Sequence, residues 1–172
     1  VGPFDIPEAL AKQMLAAKNP NGLSNNQVVR PWANGLDVTR APQGMWIIDF
    51  PPGTTEAEAA LFEQPFEYIR EHVKPARANN KRELYKNQWW IHAEPRPGMR
   101  AKLQNLSRFL ATARVAKHRV FSWQEQPTLP DCQIIAFTRS DDFVLGVLHS
   151  RFHDLWARAQ GSQLREAESG FR

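Results

Sequence analysis

The sequence is poor in cysteine and tyrosine, with Cys132 alone and two tyrosines in 172 residues, and it has no long hydrophobic run. A lone cysteine makes no intrachain disulfide and no cysteine-cluster metal site, which is consistent with a reducing cytosol. The longest apolar stretches, such as Met45 to Ile48 and Val144 to Leu148, are a handful of residues, far short of the ~20 that a membrane helix needs. No membrane partner is expected. The common catalytic signatures are also missing: there is no Gly-x-Gly-x-x-Gly, no Gly-Lys-Ser/Thr phosphate loop, no Gly-x-Ser-x-Gly elbow and no His-Glu-x-x-His. The chain opens Val1-Gly2-Pro3-Phe4, without Met and without a basic-then-apolar leader, so it reads as a domain excised from a longer protein.

The most informative absence is of acid. Between Pro95 and Gln124 there is no Asp or Glu, while Arg96, Arg100, Lys102, Arg108, Arg114, Lys117 and Arg119 all fall there, with His92 and His118 beside them. The whole chain carries only +4, so the imbalance is local. A stretch of one sign attracts phosphate-rich or acidic partners, unless acids from elsewhere in the fold compensate it.

What is present describes a globular domain. Hydrophobic residues make up 42% and charged residues 23%, which fits a single domain over residues 1–172 with an N-terminal helical segment in 1–20. Asp5-Ile6-Pro7-Glu8 reads as a helix start with Asp5 as cap, and Asn19-Pro20 as its end. Residues 19–43 read as an ordered, Asn/Pro/Gly-rich loop punctuated by apolar side chains. Trp46 to Phe50 is a strand stopped by Pro51-Pro52-Gly53. A helix capped by Thr54 or Thr55 follows, with Phe62, Phe66, Ile69 and Val73 on one core-facing stripe.

Leu84, Tyr85, Trp89 and Trp90 suggest an aromatic helical turn ended by Glu94-Pro95-Arg96-Pro97, and Met99 to Leu106 a short helix. Phe109 to Val115, Val120 to Trp123 and Gln133 to Thr138 read as neighbouring strands. Ser140-Asp141-Asp142 caps a long helix with Leu145, Leu148, Phe152, Leu155 and Ala159 on one face, ending at Gly161. Helices and strands do not alternate regularly, so the expected fold is α+β, with a mixed sheet flanked by helices.

Several side chains invite chemistry. His149 and His153 lie four apart with Asp154 adjacent, a spacing that can place two imidazoles toward a metal, although packing is the commoner role. Asp141 and Asp142 are explained by a helix N-terminus. Asp49-Phe50-Pro51-Pro52 has the wrong order for the Asn-Pro-Pro-aromatic loop of amino-methyltransferases and reads as a strand end. Trp46, Trp123 and Trp156 fall on faces expected to be core. Trp89-Trp90, set among Lys81-Arg82, Lys86 and His92, suits packing, with stacking on a base as the alternative.

Longer strings carry a resemblance. Val28-Val29-Arg30-Pro31-Trp32-Ala33-Asn34-Gly35-Leu36-Asp37-Val38-Thr39-Arg40, Trp46-Ile47-Ile48-Asp49-Phe50, Phe66 through Pro75, and Trp89-Trp90 followed by Glu94-Pro95-Arg96-Pro97 resemble the target-recognition domain of MmeI-like adenine-N6 DNA methyltransferases, a type IIL restriction-modification family. Thr112 through Arg119 and Phe143 through His153 resemble it in the same order, so the likeness runs from about Phe4 to Gln163.

The resemblance implies that this chain reads double-stranded DNA while a methyltransferase catalytic domain in cis binds S-adenosylmethionine and carries the catalytic loop. No cofactor, metal or catalytic residue is then expected in this chain, and its compartment is the cytoplasm. Such a domain must clamp phosphates and present polar groups to base edges. Arg114, Lys117, His118 and Arg119, at the turn between two predicted strands, are the leading candidates. Arg30 and Arg40 flank the Asn-Gly loop, Arg96 and Arg100 belong to the acid-free stretch, and Arg139-Ser140 opens the last helix, where backbone N–H groups suit a phosphate. The rival readings are a protein-interaction module that docks on the parent's catalytic domain, and a small metal-dependent enzyme built on His149 and His153.

Overall fold

A computed structural model describes residues 3–161. In chain order its elements are β1 (Asp5–Pro7), α1 (Glu8–Ala16), β2 (Val29–Ala33), α2 (Gly35–Thr39), β3 (Met45–Ile48), α3 (Glu56–Ala60), α4 (Glu63–His72), α5 (Lys74–Ala78), α6 (Glu83–Asn87), α7 (Pro97–Leu103), β4 (Arg108–Ala113), β5 (Phe121–Glu125), β6 (Leu129–Pro130), β7 (Ile134–Phe137), α8 (Asp142–His149) and α9 (Arg151–Gln160). The fold is α+β. β2 pairs antiparallel with β3 through Val29–Pro31 and parallel with β6 through Trp32 and Ala33, which makes the sheet mixed. The described residues divide into two compact units, 3–31 with 44–97, and 32–43 with 98–161.

In the first unit β3 lies between β1 and β2, and both pairings are antiparallel. Period-2 alternation puts Ile6, Val29 and Ile48 on the inner face, where Phe4, Phe50, Phe66, Ile69, Val73 and Trp89 join them. The Pro51-Pro52-Gly53 stop is a β-turn: the Thr54 N–H donates to Pro51 O at 3.2 Å and Gly53 sits at φ 89°, a conformation that suits glycine. Thr55 then caps α3 through a capping box with Glu58. The Phe62, Phe66, Ile69, Val73 stripe is buried as its spacing predicts, although the chain divides it between the cap of α4 and α4 itself.

Three readings change here. Asp5 is not a helix cap: it pairs with Ile47 in β1, because burying Ile6 in the sheet outweighs a cap, and α1 starts after Pro7. The supposed loop 19–43 contains β2 and α2. Trp89 and Trp90 follow α6 rather than lie within it, and both are buried, with the Trp90 indole N–H donating to Thr54 O at 2.8 Å. Neither ring is placed to stack on a base.

Two polar networks hold this unit. The Arg77 guanidinium is buried and donates to the carbonyls of Gln88, Trp89 and Ile91, with the rings of Phe4 and Tyr85 4.9 and 5.8 Å from it. It adds donors to the carbonyls of the chain leaving α6, where Gln88 O also accepts the Ile91 N–H at 3.1 Å. Burial pushes its pKa below the ordinary arginine value, yet a guanidinium stays charged. Asn25 donates to Met14 O and accepts from the Asn19 side-chain amide, whose Oδ1 accepts the Glu63 N–H at the start of α4.

In the second unit the three strands expected between residues 109 and 138 form an antiparallel sheet in the order β5-β4-β7. Phe109 to Ala113 are all buried, and Phe109, Ala111 and Ile134 pack with Ala33, Val38 and Leu103. α2 lies against β4, capped by Asn34 in a capping box with Asp37.

The single long final helix is replaced by α8 and α9. Ser150 breaks the run at ψ 149°, because its hydroxyl accepts the His153 N–H and so caps a new helix. The expected core face of Leu145, Leu148, Phe152, Leu155 and Ala159 does not form. No residue of α8 or α9 is buried, and Phe152 (87% exposed), Leu155 and Trp156 lie open, so Trp156 is not a core residue. Truncation of the buried Phe109 to alanine is expected to cost about 3–5 kcal/mol, whereas Phe152→Ala should stay within about 0.5 kcal/mol; urea denaturation of the two variants measures the contrast.

Candidate nucleic-acid interface

The leading cations follow from where β4 stops being buried. Ala113 is its last buried residue, and the Arg114 N–H extends the ladder by donating to Gln133 O at 2.7 Å while its side chain is exposed. The chain then runs as an irregular connection over 114–120 into β5, with Lys117 and His118 exposed and Arg119 half-buried. The far end is pinned at Phe121. That buried ring meets Phe137, His149 and His153 at 5.8, 5.6 and 5.7 Å, and its N–H donates to His149 Nε2 at 3.3 Å. A short loop fixed at both ends and carrying Arg114, Lys117, His118 and Arg119 is an electropositive projection.

The other candidates are placed differently. Arg40 is exposed in the same unit, at the C-terminal cap of α2, and Arg100 is half-buried on α7. Arg139 Nε donates to Asp141 at 2.8 Å, and this partner raises its pKa. The Asp141 carboxylate also accepts the Val144 N–H, so the start of α8 already has its own anion, and Ser140 O accepts from Arg108. A phosphate at this helix end meets Asp141 and Asp142. Arg30 and Arg96 belong to the first unit: Arg30 is half-buried with its Nε lacking a hydrogen-bond partner, and Arg96 sits at φ 48° beside Glu94 at 3.5 Å. The acid-free stretch is therefore partly neutralised in space. Arg108, which sequence reasoning left out of the site, lies 3.9 Å over the Trp123 ring and 2.9 Å from Asp142, a clamp that ties β4, β5 and α8.

The histidine pair has structural roles. His149 Nε2 accepts from the Phe121 backbone, and His153 Nδ1 donates to Leu148 O at 2.8 Å. Among the described residues no group of three or more His, Cys, Asp or Glu side chains is arranged to hold a metal. No described helix is long and apolar enough to cross a membrane.

No family model matches the chain, and no curated relative matches it. Its structure is similar over 98% of its length to that of the type IIL restriction-modification enzyme MmeI in complex with DNA, with a TM-score of 0.65 at 13% identity. At that identity the likeness is one of fold. The chain spans about a fifth of that enzyme, 21% of its length.

The Arg139–Asp141 contact has a pH consequence. Hydrogen bonds from Arg139 and from the Val144 N–H hold the Asp141 carboxyl below its ordinary value. The contribution is fully present above the unfolded-state pKa and disappears as pH falls through the lowered folded value. Asp141→Asn should therefore flatten the acid side of the stability profile and leave its alkaline side unchanged, as thermal melts from pH 7 down to pH 2 would read.

Proposed function

We propose that this chain is the double-stranded DNA target-recognition domain of a site-specific adenine-N6 DNA methyltransferase of the restriction-modification type, acting in the cytoplasm. The observation that carries the reading is the pinned loop of Arg114, Lys117, His118 and Arg119, set on a fold shared with an enzyme whose structure was solved with DNA. The strings that resemble the MmeI-like family add to it. Long cations on a fixed projection suit phosphates on either side of a groove, and this positions the protein while polar side chains read base edges.

In this reading the 172 residues work as one recognition domain. Arg114 and Lys117 are its principal phosphate contacts, His118 and Arg119 assist, and Arg40 and Arg100 of the same unit add to them. Arg30, Arg96, Arg139 and Ser140 contribute less: Arg96 and Arg139 lie beside Glu94 and Asp141, Ser140 O accepts from Arg108, and Arg30 is half-buried. Methyl transfer and S-adenosylmethionine belong to a catalytic domain elsewhere in the parent, since this chain lacks the catalytic loop and the cofactor glycine motif.

A second reading, docking on that catalytic domain, is favoured by one observation. α8 and α9 expose Phe143, Val147, Phe152, Leu155 and Trp156, and contiguous exposed apolar side chains mark protein interfaces. The two readings are compatible if the loop meets DNA and the helices meet protein.

Fluorescence anisotropy of a labelled duplex across a salt series tests the DNA reading. Five to seven phosphate contacts give a slope of log K against log salt of roughly −4.5 to −6. The double variant Arg114→Ala/Lys117→Ala should reduce that slope by about two units. Salt-insensitive or absent binding by a folded protein would leave the docking reading alone.

A further inference from the structure

We infer that Arg158 of α9 completes a phosphate-oxygen notch with Lys117 and Arg119, and that Asp154 positions it. The inference rests on the DNA reading and adds to it a helix outside the acid-free stretch. The loop residues Ala116, Lys117 and Arg119 form one wall of a small notch, and Asp154, Ala157 and Arg158 form the other. Its cavity volume is about 10 Å³, about what one water-sized oxygen occupies. It admits a single phosphoryl oxygen and excludes a whole ligand.

The convergence has a local cause. Phe121, two residues beyond Arg119, holds the rings of His149 and His153 against it, and this brings α9 beside the loop. Ala116 and Ala157 are small enough to let the two segments approach closely, so that long side chains form the rim. Arg158 Nε meets both Asp154 oxygens at 3.0 Å. A carboxylate one helical turn away thus orients the guanidinium, and charge-assisted bonds of this kind fix geometry as well as energy. The described lining carries three cations and one carboxylate, which suits a phosphodiester oxygen of the DNA backbone as the ligand.

The test uses the 172-residue chain with a random-sequence labelled duplex across a salt series. Arg158→Ala should make the salt slope shallower by about 0.9, one phosphate contact, in addition to the loss caused by Arg114→Ala/Lys117→Ala. Lys12→Ala, a surface cation of the first unit, should leave it unchanged. Asp154→Asn keeps an oxygen for Arg158 Nε while removing the negative charge, so it should tighten binding by about two- to fivefold at fixed salt, the range of an exposed charge pair. A substitution that merely loosened α9 would weaken binding, so the sign of the Asp154→Asn effect separates the notch from a structural role. An unchanged slope in Arg158→Ala, with the loop variant still defective, overturns the notch and leaves the DNA reading standing. Absence of duplex binding by the unaltered chain overturns both.

Discussion

The constraint on which the second unit depends is the complete burial of β4 beyond its first residue. Phe109 to Ala113 are hydrogen-bonded to β5 on one edge and β7 on the other, and both faces are dry. Such a strand has no place for a charge in its interior, since an unpaired ion there costs several kcal/mol. Its cations are displaced to its two ends, where they meet different fates. Arg108 turns onto Trp123 and Asp142 and becomes part of the scaffold. Arg114 emerges into solvent at the head of the loop, and burial of the strand fixes where it emerges.

Arg77 shows the opposite use of the same side chain. In the first unit a guanidinium is taken fully inside because several carbonyls converge on it, so it serves as an internal donor set rather than as surface charge. Counting arginines along the chain therefore says little about potential at the surface. The acid-free stretch illustrates this directly, since Glu94 just before it and Asp142 well after it reach back to Arg96 and Arg108. Outside those pairings lie the exposed Lys102 and the loop from Arg114 to Arg119, and the loop is the part on which the proposed function rests.

Elements defined by short-range pattern were legible in the sequence. The β-branched and aromatic runs of β4, β5 and β7, the 4-3-4 spacing from Phe62 to Val73, and the Pro-Pro-Gly stop each carry their own physical signal. β2 and α2 were not, because Pro31 argues against a strand and the Asn-Gly pair suggests a loop. Asn34 with Asp37 three residues on was nevertheless a readable capping box. The carbonyl partners of the buried Arg77 lie 11 to 14 residues away, which no local spacing encodes, whereas the Ser150 break is a local cap on the His153 N–H that the apolar periodicity across it masked. Among the proposed contacts, the loop cations follow from the missing acids, while Arg158 does not, since the packing of His149 and His153 on Phe121 brings it near Lys117.

The orientation of α9 links the two proposed contacts. Asp154, Ala157 and Arg158 repeat at the i, i+3, i+4 spacing on the notch side, and Phe152, Leu155 and Trp156 repeat at the same spacing two positions earlier, about 200° around the helix. The helix is thus turned with its polar stripe toward its own unit and its apolar stripe outward, the reverse of an ordinary surface helix. The Ser150 cap and the His153 contacts hold it that way, although exposure of a tryptophan and a phenylalanine is unfavourable in water. An orientation that costs stability in the isolated unit becomes favourable once another apolar surface covers the stripe. Because that stripe lies opposite the notch, such a cover leaves Lys117, Arg119 and Arg158 open to a phosphate, so one helix can serve protein and DNA at the same time.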